Sequence, residues 1–238
     1  MAKRMGRAQD QLRPLMVEVG VQRHAWGSVL FCMGETRVLC AATVEEVVPA
    51  FLKGRGQGWV TAEYGMLPAA TAVRTPRDGN RGRTSEIQRL VGRSLRAVTD
   101  LQALGERTIR IDCDVIQADG GTRTAAINGG FLALVHALEK LRNSGAICRL
   151  PMKDQVGAVS VGIVEGEILL DLDYWEDHRA DVDMNIVMTG SGDLVEIQGT
   201  AEEGVFNRRQ LEAMVDLAWK GIGRILELQR ANLPLTSG

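Results

Sequence analysis

The chain is short of several residue types, and each shortage narrows the kinds of protein it could be. Its 238 residues include three His, two Tyr, four Phe and four Trp. The three histidines show neither triad nor zinc-ligand spacing, which argues against a side-chain nucleophile and against a zinc site. Aromatic side chains are too scarce to give a long groove of stacking platforms for bases. If the chain binds nucleic acid, we expect it to contact the sugar–phosphate backbone more than the bases.

Long apolar runs are also missing. No stretch approaches the roughly 18 residues needed to cross a bilayer, and the first residues are polar. We therefore expect no membrane association and a cytoplasmic location. The four cysteines lack C-x-x-C spacing and lie in apolar or strand-like surroundings, which predicts reduced core residues. They are Cys32, Cys40, Cys113 and Cys148.

Lysine is rare relative to arginine. Only five of the 28 basic residues are lysines, which leaves 23 arginines, and the net charge is −2. A guanidinium can bind phosphate through two parallel hydrogen bonds, whereas an ammonium acts as a point charge. The near-neutral balance excludes a general basic field, so any site for a polyanion must be a local patch.

The segment Asp119-Gly-Gly-Thr-Arg-Thr124 lies between an alternating strand and a helix that begins with small residues. Its two glycines let a ligand approach the backbone, while Thr122 and Arg123 add hydrogen-bond donors. The first N–H groups of a helix bind anions readily. The segment therefore predicts a phosphate or sulfate pocket, although an ordinary strand-to-helix turn with an N-cap has the same features.

A second candidate is the acidic segment 171–183, which holds six carboxylates in 13 residues. Such groups must face water, arginines or a metal, because an unpaired buried charge is costly. A polar surface loop is one interpretation, and a Mg²⁺ or Mn²⁺ site is the other. Asp181 and Asp183 are expected to alternate across the start of a strand, so we expect only one of them to join Asp177.

A third candidate is the basic segment 74–96, which holds seven arginines against Asp78 and Glu86. It fits a solvated face, a subunit contact or a path for an RNA backbone. The arginines are Arg74, Arg77, Arg81, Arg83, Arg89, Arg93 and Arg96.

Periodicity predicts an α+β fold with duplicated βα character, in a single domain over 1–238. Ser85 and Gln88 resemble a capping box at the start of a helix, preceded by a mobile loop at 72–84. Strands are predicted at 15–23, 27–34, 36–44, 59–64 and 109–115, and a second set of strands at 155–172 and 184–198. Further helices are predicted at 124–142 and 207–231.

Several blocks of sequence resemble the bacterial ribonuclease PH family, and the similarity covers nearly the whole chain. The blocks are KGRGQGWVTAEY at 53–64, GRTSEIQRL at 82–90, IDCDVIQADGGTRT at 111–124, DVDMN at 181–185 and VEIQGTAEE at 195–203. The chain departs from the family's usual pattern at Met5, at Asn128 and Gly130, and in a shorter loop before Gly82.

The resemblance implies a phosphorolytic 3′→5′ exoribonuclease that trims tRNA precursors with inorganic phosphate and releases nucleoside diphosphates. It also implies the reverse nucleotidyltransferase reaction. The fold would be of the ribosomal protein S5 domain 2-like type, assembled as a homohexameric ring of dimers.

Site residues follow from the same resemblance. Arg83, Gly121, Thr122 and Arg123 would bind phosphate, and Asp177 and Asp183 would serve as catalytic and metal-linked residues with Mg²⁺ or Mn²⁺. The remaining arginines of the basic segment are expected to bind RNA because they cluster before and along a helix, and not because of the resemblance. Two rival functions stay open, a catalytically silent RNA-binding ring subunit and a metal-dependent hydrolytic nuclease.

Overall fold

The computed structural model describes Arg4 and residues 6–77, 81–202 and 204–234, apart from the side chain of Arg81. Within these residues the fold is α+β, as predicted. The strands are β1 (Leu15–Val19), β2 (Gly27–Met33), β3 (Thr36–Glu45), β4 (Trp59–Met66), β5 (Thr108–Gln117), β6 (Val156–Val164), β7 (Glu167–Leu170), β8 (Val182–Thr189) and β9 (Leu194–Ala201). The helices are α1 (Arg81–Ala97), α2 (Leu101–Leu104), α3 (Thr122–Asn143), α4 (Tyr174–Asp177) and α5 (Arg208–Ala231).

The first sheet has the strand order β1-β2-β3-β5-β4, in which only β4 and β5 run parallel. Helix α1 makes the crossover that a parallel pair requires. The alternation predicted for β5 is confirmed, because Ile109, Ile111 and Val115 are fully buried while Asp114 is exposed. This strand leads directly into the Gly-Gly turn and α3, so it fixes where that turn lies.

The second sheet has the order β7-β6-β8-β9 and is antiparallel throughout. Strand β6 is buried over Val156–Ile163, because both α3 and α5 pack against it. Its sequence is accordingly an almost continuous apolar run. A polar residue inside such a strand, such as Ser160, therefore needs a local partner or a role.

Helix α3 contacts both sheets, and it is buried nearly all round. At Gly129 an added Cβ would lie 2.9 Å from the Cys40 sulfur, so only glycine allows this approach to β3. Asn128 joins α3 to β6, since its amide donates to the Ala158 carbonyl (2.9 Å) and accepts from the Ala158 N–H (2.8 Å). One buried apolar cluster consequently includes residues from both sheets.

Four local predictions were wrong. Helix α1 begins at Arg81, so its first turn occupies the end of the loop predicted at 72–84. Ser85 lies inside this helix, because the spacing of a capping box also occurs within helices. Cys148 is exposed, since it follows α3 in a connection, whereas the other three cysteines are buried. Strand β1 ends at Val19.

No helix in the part of the chain that the structure describes is long and apolar enough to cross a membrane.

Candidate active site

A cavity of about 670 Å³ opens where the end of β4, the turn before α3, the start of α1 and the middle of β8 meet. Its size is that of a typical small-ligand site. The polar and charged residues that line it include Tyr64, Thr75, Arg77, Arg83, Thr122, Arg123, Ser160, Tyr174, Asp177, Asp183 and Asn185. The cavity thus unites the predicted phosphate turn with part of both the basic and the acidic segments.

The Gly-Gly turn adopts a conformation that requires glycine. Gly120 and Gly121 have φ values of 74° and 65°, where other residues are strained. A Cβ on Gly120 would also lie 2.5 Å from the Leu172 carbonyl oxygen. Gly121 is the N-cap of α3, so the first N–H groups of that helix lack intrahelical acceptors beside the cavity. These groups and the helix dipole place positive partial charge at this side of the cavity.

Tyr64 supports the turn from β4. Its hydroxyl donates to Thr122 Oγ1 over 2.9 Å, and burial raises the pKa of the Tyr64 phenol, so it remains a donor. Because Thr122 Oγ1 accepts this bond, its own proton is free to point toward a ligand.

Three arginines line the cavity, Arg77, Arg83 and Arg123. Arg83 lies on the first turn of α1 and is exposed. Arg123 lies on the first turn of α3, where its Nη1 donates to Gln198 Oε1 over 2.9 Å. Gln198 in turn donates to Glu86 Oε1, so residues of β9 and α1 hold Arg123 in place.

Two carboxylates face these arginines. Asp177 ends α4 and Asp183 lies in β8. Burial, followed by repulsion from Asp177, raises the pKa of Asp183 to about 6, while Arg123 partly opposes the rise. Desolvation also raises the pKa of Asp177, against the opposing effect of Arg123 and Arg83. Among the described residues, the buried Oδ1 of Asp183 has no hydrogen-bond partner.

Asp181 stays outside the cavity, as expected for one member of the pair. The reason differs from strand alternation, which would place residues two apart on the same face. Asp181 instead precedes β8, which begins at Val182.

Two buried acids of the same segment, Asp171 and Glu176, are paired with arginines from the start of the chain. Asp171 is fully buried and bonds Arg13 through both carboxylate oxygens, with Nη2 to Oδ1 at 2.6 Å. Glu176 is buried beside Arg4 (2.7 Å) and Arg7 (3.1 Å). The sequence predicted that the carboxylates of this segment face water, arginines or a metal. This is correct for Asp171 and Glu176, but the sequence did not identify which arginines they contact.

The predicted RNA-binding arginines lie in different surroundings. Arg77 lines the cavity, and Arg74 and Arg89 are exposed. Arg93 is within 2.9 Å of Glu196 in β9. The side chain of Arg81 lies outside the described residues.

Arg96 lies apart from the cavity. Its Nη1 donates to the Val60 carbonyl over 2.7 Å, and its guanidinium lies 4.2 Å from the ring centroid of Trp59. Burial lowers its pKa. The structure therefore gives Arg96 a packing contact with β4. Its place in the basic segment did not distinguish it from the arginines near the cavity.

Two further lining residues were missed. Ser160 and Asn185 are register partners in β6 and β8. The available signal was a polar residue inside a largely apolar strand. Ser160 is the one polar residue of VGAVSVGIV, and Asn185 lies between apolar residues in VDMNIVMT.

A divalent cation is chemically compatible with this site. The described residues contain no group of three or more His, Cys, Asp or Glu that could hold a metal. Asp177 and Asp183 nevertheless supply two carboxylates, one with an unpartnered oxygen. Mg²⁺ is commonly held by one or two carboxylates, with water and substrate phosphate as the other ligands.

Comparison with known proteins places this site in a family. Residues 11–138 match the model for domain 1 of the 3′ exoribonuclease family, and residues 154–221 match the model for domain 2. The chain belongs to the 3′ exoribonuclease family. The residues that line the cavity come from both matched segments.

Within the 3′ exoribonuclease family, curated relatives are similar over almost their whole length. The chain is 55% identical to ribonuclease PH of Syntrophomonas wolfei over 98% of this chain and 99% of that protein. It is 56% identical to ribonuclease PH of Moorella thermoacetica, over 97% and 94% of the two chains. For ribonuclease PH of Bacillus cereus the identity is 54%, over 96% and 95%.

Solved structures agree in fold. A crystal structure of rice Rrp46 matches with a TM-score of 0.79 and 21% identity, over 97% of this chain and 99% of that one. A chain from an Archaeoglobus fulgidus exosome with RNA bound to the active site matches with a TM-score of 0.80 and 19% identity, over 94% and 91%. These matches, with the family models, confirm the predicted ribosomal protein S5 domain 2-like fold.

Proposed function

We infer that the chain is a phosphorolytic 3′→5′ exoribonuclease that trims tRNA precursors and other RNA 3′ ends. Inorganic phosphate is its co-substrate and nucleoside diphosphates are its products, and the reverse reaction adds nucleotides to RNA. The observation that carries this inference is the juxtaposition, in one cavity, of the Gly-Gly turn with three arginines and two carboxylates, one of which has a buried oxygen without a hydrogen-bond partner among the described residues.

The phosphate lies, in this proposal, against the turn formed by Gly121, Thr122 and Arg123, with Arg83 on the opposite side. Helix N–H groups, a hydroxyl and two guanidinium groups supply donors and positive charge. One phosphate oxygen attacks the phosphorus of the last phosphodiester, and the bond to the 3′-oxygen of the preceding nucleotide breaks. Positioning and electrostatic stabilisation supply most of the rate, since no covalent intermediate with the protein is needed.

Asp177 and Asp183 face the opposite end of the reacting group in this arrangement. The departing 3′-oxygen must gain a proton, and one of the two aspartates would donate it. The pKa of Asp183, about 6, lies close enough to neutral pH for it to exchange protons during turnover. Arg123 and Arg83 keep part of the population ionised by lowering the pKa of both acids.

Asp177 and Asp183 are also the residues that would hold Mg²⁺ or Mn²⁺. When bound, such a cation would neutralise negative charge that develops on the transferred phosphoryl group. The two carboxylates then serve to bind and orient, and the unpartnered Oδ1 of Asp183 is the atom best suited to this role.

RNA would enter past the basic side of the cavity. Arg77 lines the entrance, and the exposed Arg74 and Arg89 lie on neighbouring parts of the loop and α1. Guanidinium groups at these positions would neutralise phosphates and make binding depend on salt concentration. Arg81 and Arg93 belong to the same proposal, whereas Arg96 is assigned to packing.

We propose, further, that residues 1–238 fold as one domain that assembles as a homohexameric ring of dimers in the cytoplasm. The cluster that unites both sheets supports the single domain, and the three buried free cysteines suit a reducing compartment. Light scattering would test the ring, which should have six times the 25.9 kDa mass of one chain.

The test of the proposed activity is an assay of the purified protein with a 3′-labelled tRNA precursor and Mg²⁺, with and without inorganic phosphate. We expect nucleoside diphosphate to appear only when phosphate is present. Nucleoside monophosphate released without phosphate would identify a hydrolytic nuclease instead. Binding without release would identify a silent RNA-binding subunit.

A further inference from the structure

The Gly-Gly turn is held from behind by residues that do not line the cavity. Arg13 precedes β1 and is 5% exposed. Its guanidinium donates to the carbonyls of Asp119 and Gly120, the two residues that lead into the N-cap of α3. A guanidinium directed at two successive carbonyls fixes the orientation of the intervening peptide units.

Asp171 fixes Arg13 in turn. The carboxylate accepts from the Arg13 backbone N–H at 2.7 Å and from Nε and Nη2 of its side chain. Since both side chains are buried, the arginine loses freedom to leave the turn, and its charge is balanced where it lies. All of its donor groups are therefore directed at Asp171 or at the turn.

Thr36, at the start of β3, completes this support. Its hydroxyl accepts from the Asp119 N–H over 2.9 Å and donates to the Gly120 carbonyl over 2.6 Å. Thr36 is fully buried. With Arg13 and Thr36 holding its carbonyls on the far side, the turn presents its next N–H groups, those at the start of α3, to the cavity.

We propose that Arg13 and Thr36 are positioning residues for phosphate binding, which act only through the turn 119–121. The proposal rests on the proposed phosphorolytic function, since it assigns the turn to phosphate. It separates these residues from Tyr64, which acts on the Thr122 hydroxyl, and from Arg4 and Arg7, which contact Glu176 on α4.

The test uses Thr36→Val, which keeps the shape of the side chain and removes both hydrogen bonds. Thr99→Val is the matched control, because Thr99 is equally buried and its hydroxyl donates to the Leu95 carbonyl away from the cavity. We expect the KM for phosphate to rise about fivefold in Thr36→Val, with the KM for RNA changed less than about twofold. In Thr99→Val both KM values should stay as in the wild type.

Arg13→Lys provides the second variant. A lysine keeps the charge but cannot reach Asp171 and both carbonyls together, so the KM for phosphate should rise about tenfold or more. If this variant does not fold, Thr36→Val alone decides the matter. A phosphate KM that Thr36→Val leaves within about twofold of wild type, in a wild-type enzyme that requires phosphate, would overturn the proposal.

Hydrogen exchange distinguishes failure of this proposal from failure of the proposed function. The amides of residues 119–122 should exchange several-fold faster in Thr36→Val than in wild type, and no faster in Thr99→Val. Should the wild type prove independent of phosphate, the proposed function fails, and the exchange comparison still tests whether Thr36 holds the turn. Equal exchange in the two variants would contradict the positioning role.

Discussion

Asp171 and Glu176 contrast sharply with Asp177 and Asp183, although all four lie within one segment of 13 residues. The first two are buried against arginines from the start of the chain, at distances of 2.6 to 3.1 Å. The second two face a cavity, repel each other, and leave one buried oxygen without a partner. Neighbours in sequence thus divide into acids that stabilise the fold and acids that remain available for chemistry.

The segment can both stabilise the fold and supply acids to the cavity, because the two roles fall on different residues. The paired acids hold α4 and the Gly-Gly turn in place, because Glu176 anchors the helix that carries Asp177 and Asp171 anchors Arg13. Pairing on one side lets the other two acids remain in an unfavourable environment without disordering the segment. Each prediction below changes one side of this comparison.

The largest effect is expected from Asp171→Asn. This change removes the buried counter-ion of Arg13 and, among the described residues, leaves only Asp119, 3.8 Å away. Breaking a buried ion pair typically costs about 3–5 kcal/mol of stability. Chemical denaturation followed by circular dichroism would measure the loss. Asp181→Asn, outside the cavity and without this partner, should change the free energy of unfolding by less than about 1 kcal/mol.

Arg123→Gln should have the next largest effect, on activity and not on folding. Removing this guanidinium takes away a donor beside the proposed phosphate, and we expect kcat/KM for phosphorolysis to fall about a hundredfold or more. Arg149→Gln is the control, because it makes the same change of side chain outside the cavity, where the exposed Arg149 pairs with Asp100. A loss of less than about threefold for Arg123→Gln would contradict its role as a phosphate clamp.

A smaller effect is expected from Tyr64→Phe. The variant removes only the hydroxyl that donates to Thr122 Oγ1, so the threonine hydroxyl would no longer be oriented by a neighbour. The KM for phosphate should rise about fivefold, while kcat changes less than about twofold. Steady-state kinetics at varied phosphate would measure this, and an unchanged KM would show that the Thr122 hydroxyl needs no such support.

Much of this site could be predicted from sequence because its anion-binding side is local. The turn residues are contiguous in sequence, from Gly120 to Arg123. Because they lie between a strand and a helix, the sequence alone predicts free helix N–H groups beside two donor side chains. The alternation of β5 was equally clear, since a strand buried on one face has a period of two residues.

What the sequence could not provide were contacts between distant segments. Nothing in its pattern pairs Arg13 with Asp171, 158 residues away, or distinguishes Arg96, which packs on Trp59, from the exposed Arg89. Likewise, the sequence of the acidic segment shows how many carboxylates it has, but not which of them form ion pairs with arginines. These differences depend on the packing of the two sheets and α3, which local propensity does not encode.

The pH dependence of Asp183 follows from its raised pKa. The folded protein takes up a proton at Asp183 between pH 3.8 and about 6, where the unfolded chain does not. This residue therefore opposes folding fully above about pH 6, and the penalty disappears as the pH falls toward 4. The difference in pKa corresponds to at most roughly 3 kcal/mol.

The most direct measurement is the free energy of unfolding of wild type and Asp183→Asn at pH 8 and pH 5, without phosphate or divalent cations. We expect the variant to be more stable at pH 8 by about 1–3 kcal/mol, with a smaller difference at pH 5, and to lose phosphorolysis. A variant that is less stable than wild type at pH 8 would show that Asp183 belongs with the acids that stabilise the fold.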